Sequence, residues 1–148
     1  MAVQKLMTFN EKCLRTKCEV VTAFNDELSQ LASDMIETMT KHDGIGLAAP
    51  QIGVTKQLIV VTDVETNKPF AVVNPRITFL EGLEEAVEGC LSYPGMRKAI
   101  RRPTHIKVTG QSILGEPRSY DVRGLQARIF CHEIDHLNGM CRVARKKK

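Results

Sequence analysis

The sequence predicts an α+β domain, with an amphipathic helix towards its N-terminus, a buried helix that is apolar on two sides towards its C-terminus, and short antiparallel strands between them. Three observations carry this. Apolar side chains recur at helical spacing over residues 25–41, and again over residues 125–137. Between these stretches lie short β-branched segments divided by turn residues. The gaps are too short for the helical crossovers that parallel strands need, so antiparallel pairing is expected.

The outer limits are ordinary. At 148 residues the chain is one domain, long enough for a proper core. Hydrophobic content of 43% and charged content of 26% suit a soluble globular protein. No apolar run approaches the ~18 residues that span a bilayer, so no membrane partner is expected. The opening MAVQKLMTFNEK has no apolar core of a secretory leader. The five cysteines, Cys13, Cys18, Cys90, Cys131 and Cys141, form no C-x-x-C pair. An odd count without pairing argues against a disulfide framework and for a reducing compartment.

In chain order, the first helix is capped by Asn25, carries Asp26 and Glu27 in its first turn, and stops at Asp43-Gly44. Leu28, Leu31, Ala32, Met35 and Met39 form its apolar stripe. GIGLAAPQIG, residues 44–53, is small and apolar. Its glycines lack the spacing of a phosphate loop or a dinucleotide turn. By itself it reads as a packed loop that something approaches closely. Gln51 is its one polar side chain, with an amide able to donate to an oxyanion. Strands are expected at residues 57–64, 70–77, 105–110 and 118–124.

The last helix reads FCHEIDHLNG over residues 130–139. His132 and His136 stand four apart and project from one face, about 6 Å apart at Cβ. Two imidazoles so placed can share a metal ion. Glu133, about 100° round the helix, is well placed to reach a water on that metal and poorly placed to be a ligand. This is the layout of a metal hydrolase: ligands, a general base and an open position. A third ligand is then needed. Cys131 and Asp135 point away from the ligand face, and His42 and His105 are expected at the surface. Cys90, in EGCLSYPG, is the candidate, with Gly89 admitting a close approach and the turn aiming the sulfur. A buried structural cysteine is the alternative. Asp135 needs a cation, and among Arg97, Arg101 and Arg102 the favoured partner is Arg102.

GIGLAAPQ, EGCLS and HEIDH, in this order and at these separations, resemble the three signature motifs of the peptide deformylases. The resemblance covers nearly the whole chain, up to Gly139. It implies antiparallel sheets packed around a central metal-bearing helix. It implies one divalent metal ion held by Cys90, His132 and His136, natively Fe2+, with Zn2+, Ni2+ or Co2+ as substitutes. Glu133 matches the catalytic glutamate. Gln51 and the backbone N–H of Leu91 match donors to the formyl oxygen. Ile45 and Gly46 match a strand edge that pairs with the substrate peptide, and Arg97 an arginine that contacts the substrate backbone. Leu125, Ile129 and the ring of His132 match the pocket for the methionine side chain. Ala86 stands where some members carry a larger residue of that pocket. The implied reaction removes formate from the formyl-methionine of nascent peptides. The implied setting is the cytoplasm of a bacterial or phage-infected cell, in preference to an organelle matrix, and the implied state is a monomer.

Two other readings compete. Another HExxH protease would want a further His or Glu after His136, and none follows. A non-enzymatic basic protein with a structural metal would show four ligands in place of three. The final seven residues, RVARKKK, hold five basic groups and no acid, and without them the balance is 16 basic against 17 acidic. We therefore divide the chain into a catalytic domain, 1–141, and a basic tail, 142–148, expected to be loose and able to touch the ribosome electrostatically.

Overall fold

The computed structural model describes residues 2–9 and 11–144. Helix α1 (Asp26–Lys41) begins where the Asn25 side chain accepts a hydrogen bond from the Leu28 N–H at 3.1 Å. That cap satisfies one of the first-turn donors that have no partner within the helix. Leu28, Ala32, Met35 and Met39 are buried along one stripe.

Seven strands follow: β1 (Gly46–Ala48), β2 (Leu58–Thr62), β3 (Pro69–Glu81), β4 (Glu84–Gly89), β5 (Arg97–Arg102), β6 (His105–Gln111) and β7 (Pro117–Arg123). Helix α2 (Gly124–Leu137) comes next, then a 3-10 turn at Arg142–Ala144. A five-stranded sheet has the order β1-β2-β3-β6-β7, and a separate hairpin joins β4 to β5. Every strand pair is antiparallel.

The continuous apolar run of β2 has a clear cause. Its residues alternate between two cores. Ile59 and Val61 face α2 with Val72, Ile106, Val108, Phe130 and Ile134. Leu58 and Val60 face α1 with Met35, Met39 and Val73. The sheet thus lies between the two helices. The β4–β5 hairpin covers another side of α2, where Arg128 donates to the backbone oxygens of Ile100 and Glu84. Buried on several sides, α2 has little freedom to move what it carries.

Strands β4 and β5 go beyond those expected, and β1 lies in the segment that by itself reads as a packed loop. In β4 and β5, charged residues mask the strand pattern. Their cross-strand partners are Glu84 with Arg102, Glu85 with Arg101, and Glu88 with Lys98. Opposite charges facing each other stabilise such a pair. The surface placement of His105 is corrected. It is 7% exposed, on an inner strand, and its ring nitrogens meet Glu81 of β3 and Asp121 of β7.

Candidate metal centre

His132 and His136 share one face of α2, with ring centroids 5.1 Å apart. Cys90 follows directly on β4, and its Sγ lies 3.2 Å from Nε2 of His136. A fourth residue joins them. The ligand atoms of Cys90, His132, His136 and Cys141 all lie within 4.8 Å of one another. In a tetrahedral site with bonds of about 2.0–2.3 Å, neighbouring donors sit about 3.5 Å apart. The cluster is therefore close to the size that one ion needs. Its donors, sulfur and imidazole nitrogen, suit a first-row transition metal and not magnesium or calcium. Three ligands were expected and four donors are present, the number set above for a structural metal, but the cleft over them and the Glu133 carboxylate beside them are features of a reactive centre. Cys141 was overlooked because it lies beyond the helix, and helical spacing cannot place it. The signal available was a cysteine five residues after His136, just past a turn-forming Asn-Gly.

Glu88 was also overlooked, and it organises the site. Its carboxylate accepts from Nδ1 of His132 at 2.9 Å, from Arg102 at 3.0 Å and from Arg128 at 2.6 Å. Nδ1 of His132 is thereby engaged, so Nε2 is the nitrogen presented to the cluster. Burial by itself would push the Glu88 carboxyl up, but hydrogen bonds from His132, Arg102 and Arg128 hold it at about 2. Burial likewise pulls His132 down, and the Glu88 hydrogen bond outweighs it, raising the imidazole to about 9 in the absence of metal. The expected Asp135–Arg102 pair is present at the edge of this network.

Glu133 is buried, and its Oε1 has no hydrogen-bond partner among the described residues. Burial pushes its carboxyl up, while the imidazoles of His132 and His136 pull it down. Gly46 backs onto it. A Cβ at Gly46 would lie 2.5 Å from Glu133 Oε2. Only glycine lets β1 come this close to the carboxylate. Gly89 differs from expectation, since a Cβ there would meet nothing nearer than Arg97 Nη1 at 3.6 Å, an ordinary contact.

Gln51 is 1% exposed. Its oxygen accepts from the Ala48 N–H at 2.9 Å, which turns its Nε2 towards Ser92 Oγ at 3.1 Å and Cys90 Sγ at 3.6 Å. The Leu91 N–H has no acceptor among the described residues. A cleft of about 780 Å³ opens over the centre, and every expected substrate contact borders it: Ile45, Gly46, Arg97, Leu125 and Ile129. Gln51, Cys90, Leu91, His132 and Glu133 form its floor. Ala86 does not border it; the neighbouring Val87 does. Side chains alternate across β4, so a one-residue step changes the face. Along the same cleft β1 pairs only with β2, which leaves its other edge open.

Comparison with known proteins agrees with this geometry. A family model for polypeptide deformylase matches residues 3–148. A peptide deformylase of Desulforudis audaxviator is 43% identical over 141 residues, covering 95% of this chain and 91% of that protein. The crystal structure of peptide deformylase from Thermotoga maritima superposes with a TM-score of 0.94 at 40% identity, covering 100% of both chains. A Met-Ala-Ser-bound peptide deformylase from Acinetobacter baumannii superposes with a TM-score of 0.93 at 33% identity, covering 98% of this chain and 100% of that one.

Proposed function

Because this chain belongs to the polypeptide deformylase family, we propose that Cys90, His132 and His136 hold its divalent metal ion and that Glu133 carries the proton of the reaction. The enzyme is a metal-dependent hydrolase that removes the formyl group from the N-terminal formyl-methionine of nascent polypeptides and releases formate. The observation that supports these roles is the meeting of two elements at one point. Donors from the end of β4 and from α2 converge beneath a cleft, with an unpartnered carboxylate oxygen beside them.

When bound, the metal supplies Lewis acidity, lowering the pKa of water and polarising the formyl carbonyl. The residues do the rest. The substrate peptide adds along the open edge of β1 at Ile45 and Gly46, so that main-chain hydrogen bonds set its register. Arg97 reaches its backbone, and the methionine side chain packs against Leu125, Ile129 and the ring of His132. Glu133, in a site that disfavours its charge, accepts the proton of the attacking water. It then returns that proton to the departing amine nitrogen. Oxygen adds to the formyl carbon, the C–N bond breaks, and formate and a free amino terminus leave. Gln51 Nε2 and the Leu91 N–H donate to the oxygen on which negative charge builds, each typically contributing about 3 kcal/mol.

We propose Fe2+ as the native ion, with Zn2+, Ni2+ and Co2+ as working substitutes, on the family resemblance; thiolate and imidazole donors suit all four ions. No described helix is long and apolar enough to cross a membrane, and we propose a cytoplasmic monomer. The functional division falls at Cys141. The catalytic domain is 1–141, and the basic tail 142–148 offers the ribosome an electrostatic contact, although its first residues are not loose as expected, since Arg142–Ala144 form a 3-10 turn with Val143 buried. Metal content and turnover in two variants test the roles together. Cys90→Ser is expected to lose metal or activity. Glu133→Gln is expected to keep its metal and lose about a hundredfold in turnover. Full occupancy and turnover in Cys90→Ser, or metal loss in Glu133→Gln, would overturn the assignment.

A further inference from the structure

We propose that Cys141 is a fourth protein ligand, so that the resting metal centre is a closed site of two cysteines and two histidines. The proposal builds on the assignment of Cys90, His132 and His136 as ligands. Its geometric basis is the cluster itself, in which Cys141 Sγ lies within 4.8 Å of each of the other three donor atoms. The position of Cys141 is imposed by the backbone around it. After α2 the chain reverses at Gly139, whose φ is +72°, and a Cβ there would lie 2.7 Å from the Arg15 carbonyl oxygen. The Gly139 N–H donates to His136 O at 3.1 Å, and the Met140 N–H to Asp135 O at 3.0 Å. Beyond Cys141, Val143 is buried and Arg142 donates to Arg101 O at 2.9 Å. Cys141 is thus pinned from both sides with its sulfur towards His136.

The direction of approach matters. Cys90, His132 and Glu133 border the cleft, whereas neither His136 nor Cys141 does. Cys141 therefore reaches the centre from the side away from substrate. It can complete a tetrahedron without filling the cleft. Two thiolates and two imidazoles are a donor set characteristic of closed, tightly held sites, and a catalytic site normally keeps one position open. An oxygen entering from the cleft must then be a fifth donor or take the place of a sulfur. Of the four ligands, Cys141 is held by the shortest element, a 3-10 turn at Arg142–Ala144. It is the ligand that yields. The fourth ligand strengthens metal retention and restrains turnover.

Cobalt-loaded protein reads the ligand set directly, since each thiolate adds to the near-ultraviolet sulfur-to-cobalt charge-transfer band. With one Co2+ per chain, Cys141→Ser and Cys141→Ala should each show about half the wild-type band, as expected for one thiolate in place of two. Both should release cobalt to a chelator roughly tenfold more readily or worse. Cys13→Ser, with its sulfur outside the cluster, should match the wild type, and circular dichroism would verify that each variant is folded. An unchanged band in both Cys141 variants, with the band abolished in Cys90→Ser, would overturn the fourth ligand and leave the three-ligand centre standing. Cys90→Ser, which keeps the Cys141 thiolate, should likewise show about half the band, and an undiminished band there would instead overturn the underlying ligand assignment.

Discussion

Glu88 faces two guanidinium groups and an imidazole at once, from β5 and α2. Its depressed pKa makes its stabilisation depend on pH. In the unfolded chain a glutamate titrates at its ordinary 4.5, and here it titrates at about 2. The contribution is therefore complete above about pH 4.5 and is lost as pH falls through about 2. Replacing Glu88 with Gln leaves Arg102 and Arg128 without their shared buried counter-charge, a change expected to cost about 3 kcal/mol at neutral pH. Urea unfolding at pH 7, 4 and 3 checks this. The wild type should lose stability over that range more steeply than Glu88→Gln. Parallel profiles would mean that the carboxylate does not hold the network together.

Strand β1 and helix α2 meet where Gly46 touches Glu133, and the Glu133 carboxylate is positioned by that contact as much as by its own helix. An alanine at Gly46 would place its Cβ 2.5 Å from Oε2 and 3.0 Å from Cδ of Glu133. The side chain must then move. Misplacement by about 1 Å can cost roughly a hundredfold in rate, so Gly46→Ala should lose kcat on that order while keeping its metal and its melting temperature. An unaltered kcat would show that Glu133 has room to adapt. This contact also marks where sequence reading succeeds and where it stops. Helical periodicity is a local signal, and it placed His132, Glu133 and His136 on α2. Turn chemistry placed Cys90, and the charge of Asp135 pointed to Arg102. Cys141, Glu88 and the Gly46–Glu133 contact are joined by tertiary approach, which no spacing encodes. Strands β4 and β5 escaped for a related reason. Their stability comes from cross-strand charge pairs and from the cover they give α2, not from an alternating apolar pattern.

The molecule as a whole is a rigid cradle. Two cores fix the sheet between α1 and α2, and the cleft over the metal centre runs along its edge strand β1. The remaining basic residues Arg145, Lys146, Lys147 and Lys148, expected to be loose, lie outside the described residues. Deleting Arg145 to Lys148 should leave turnover on short formyl-Met peptides nearly unchanged, and co-sedimentation with ribosomes should weaken steeply with salt. Salt-insensitive binding, or a large loss of peptide turnover, would show that the tail does more than attract charge. One comparison tests metal-dependent deformylation most directly: formate release from formyl-Met-Ala-Ser by enzyme carrying a measured equivalent of metal, before and after chelation, with unformylated Met-Ala-Ser as the control substrate. Formate should appear in step with free amino termini, cease on chelation and return when metal is restored. The control peptide should remain intact. Metal-loaded, folded enzyme that releases no formate, or that cleaves the control peptide, would contradict it.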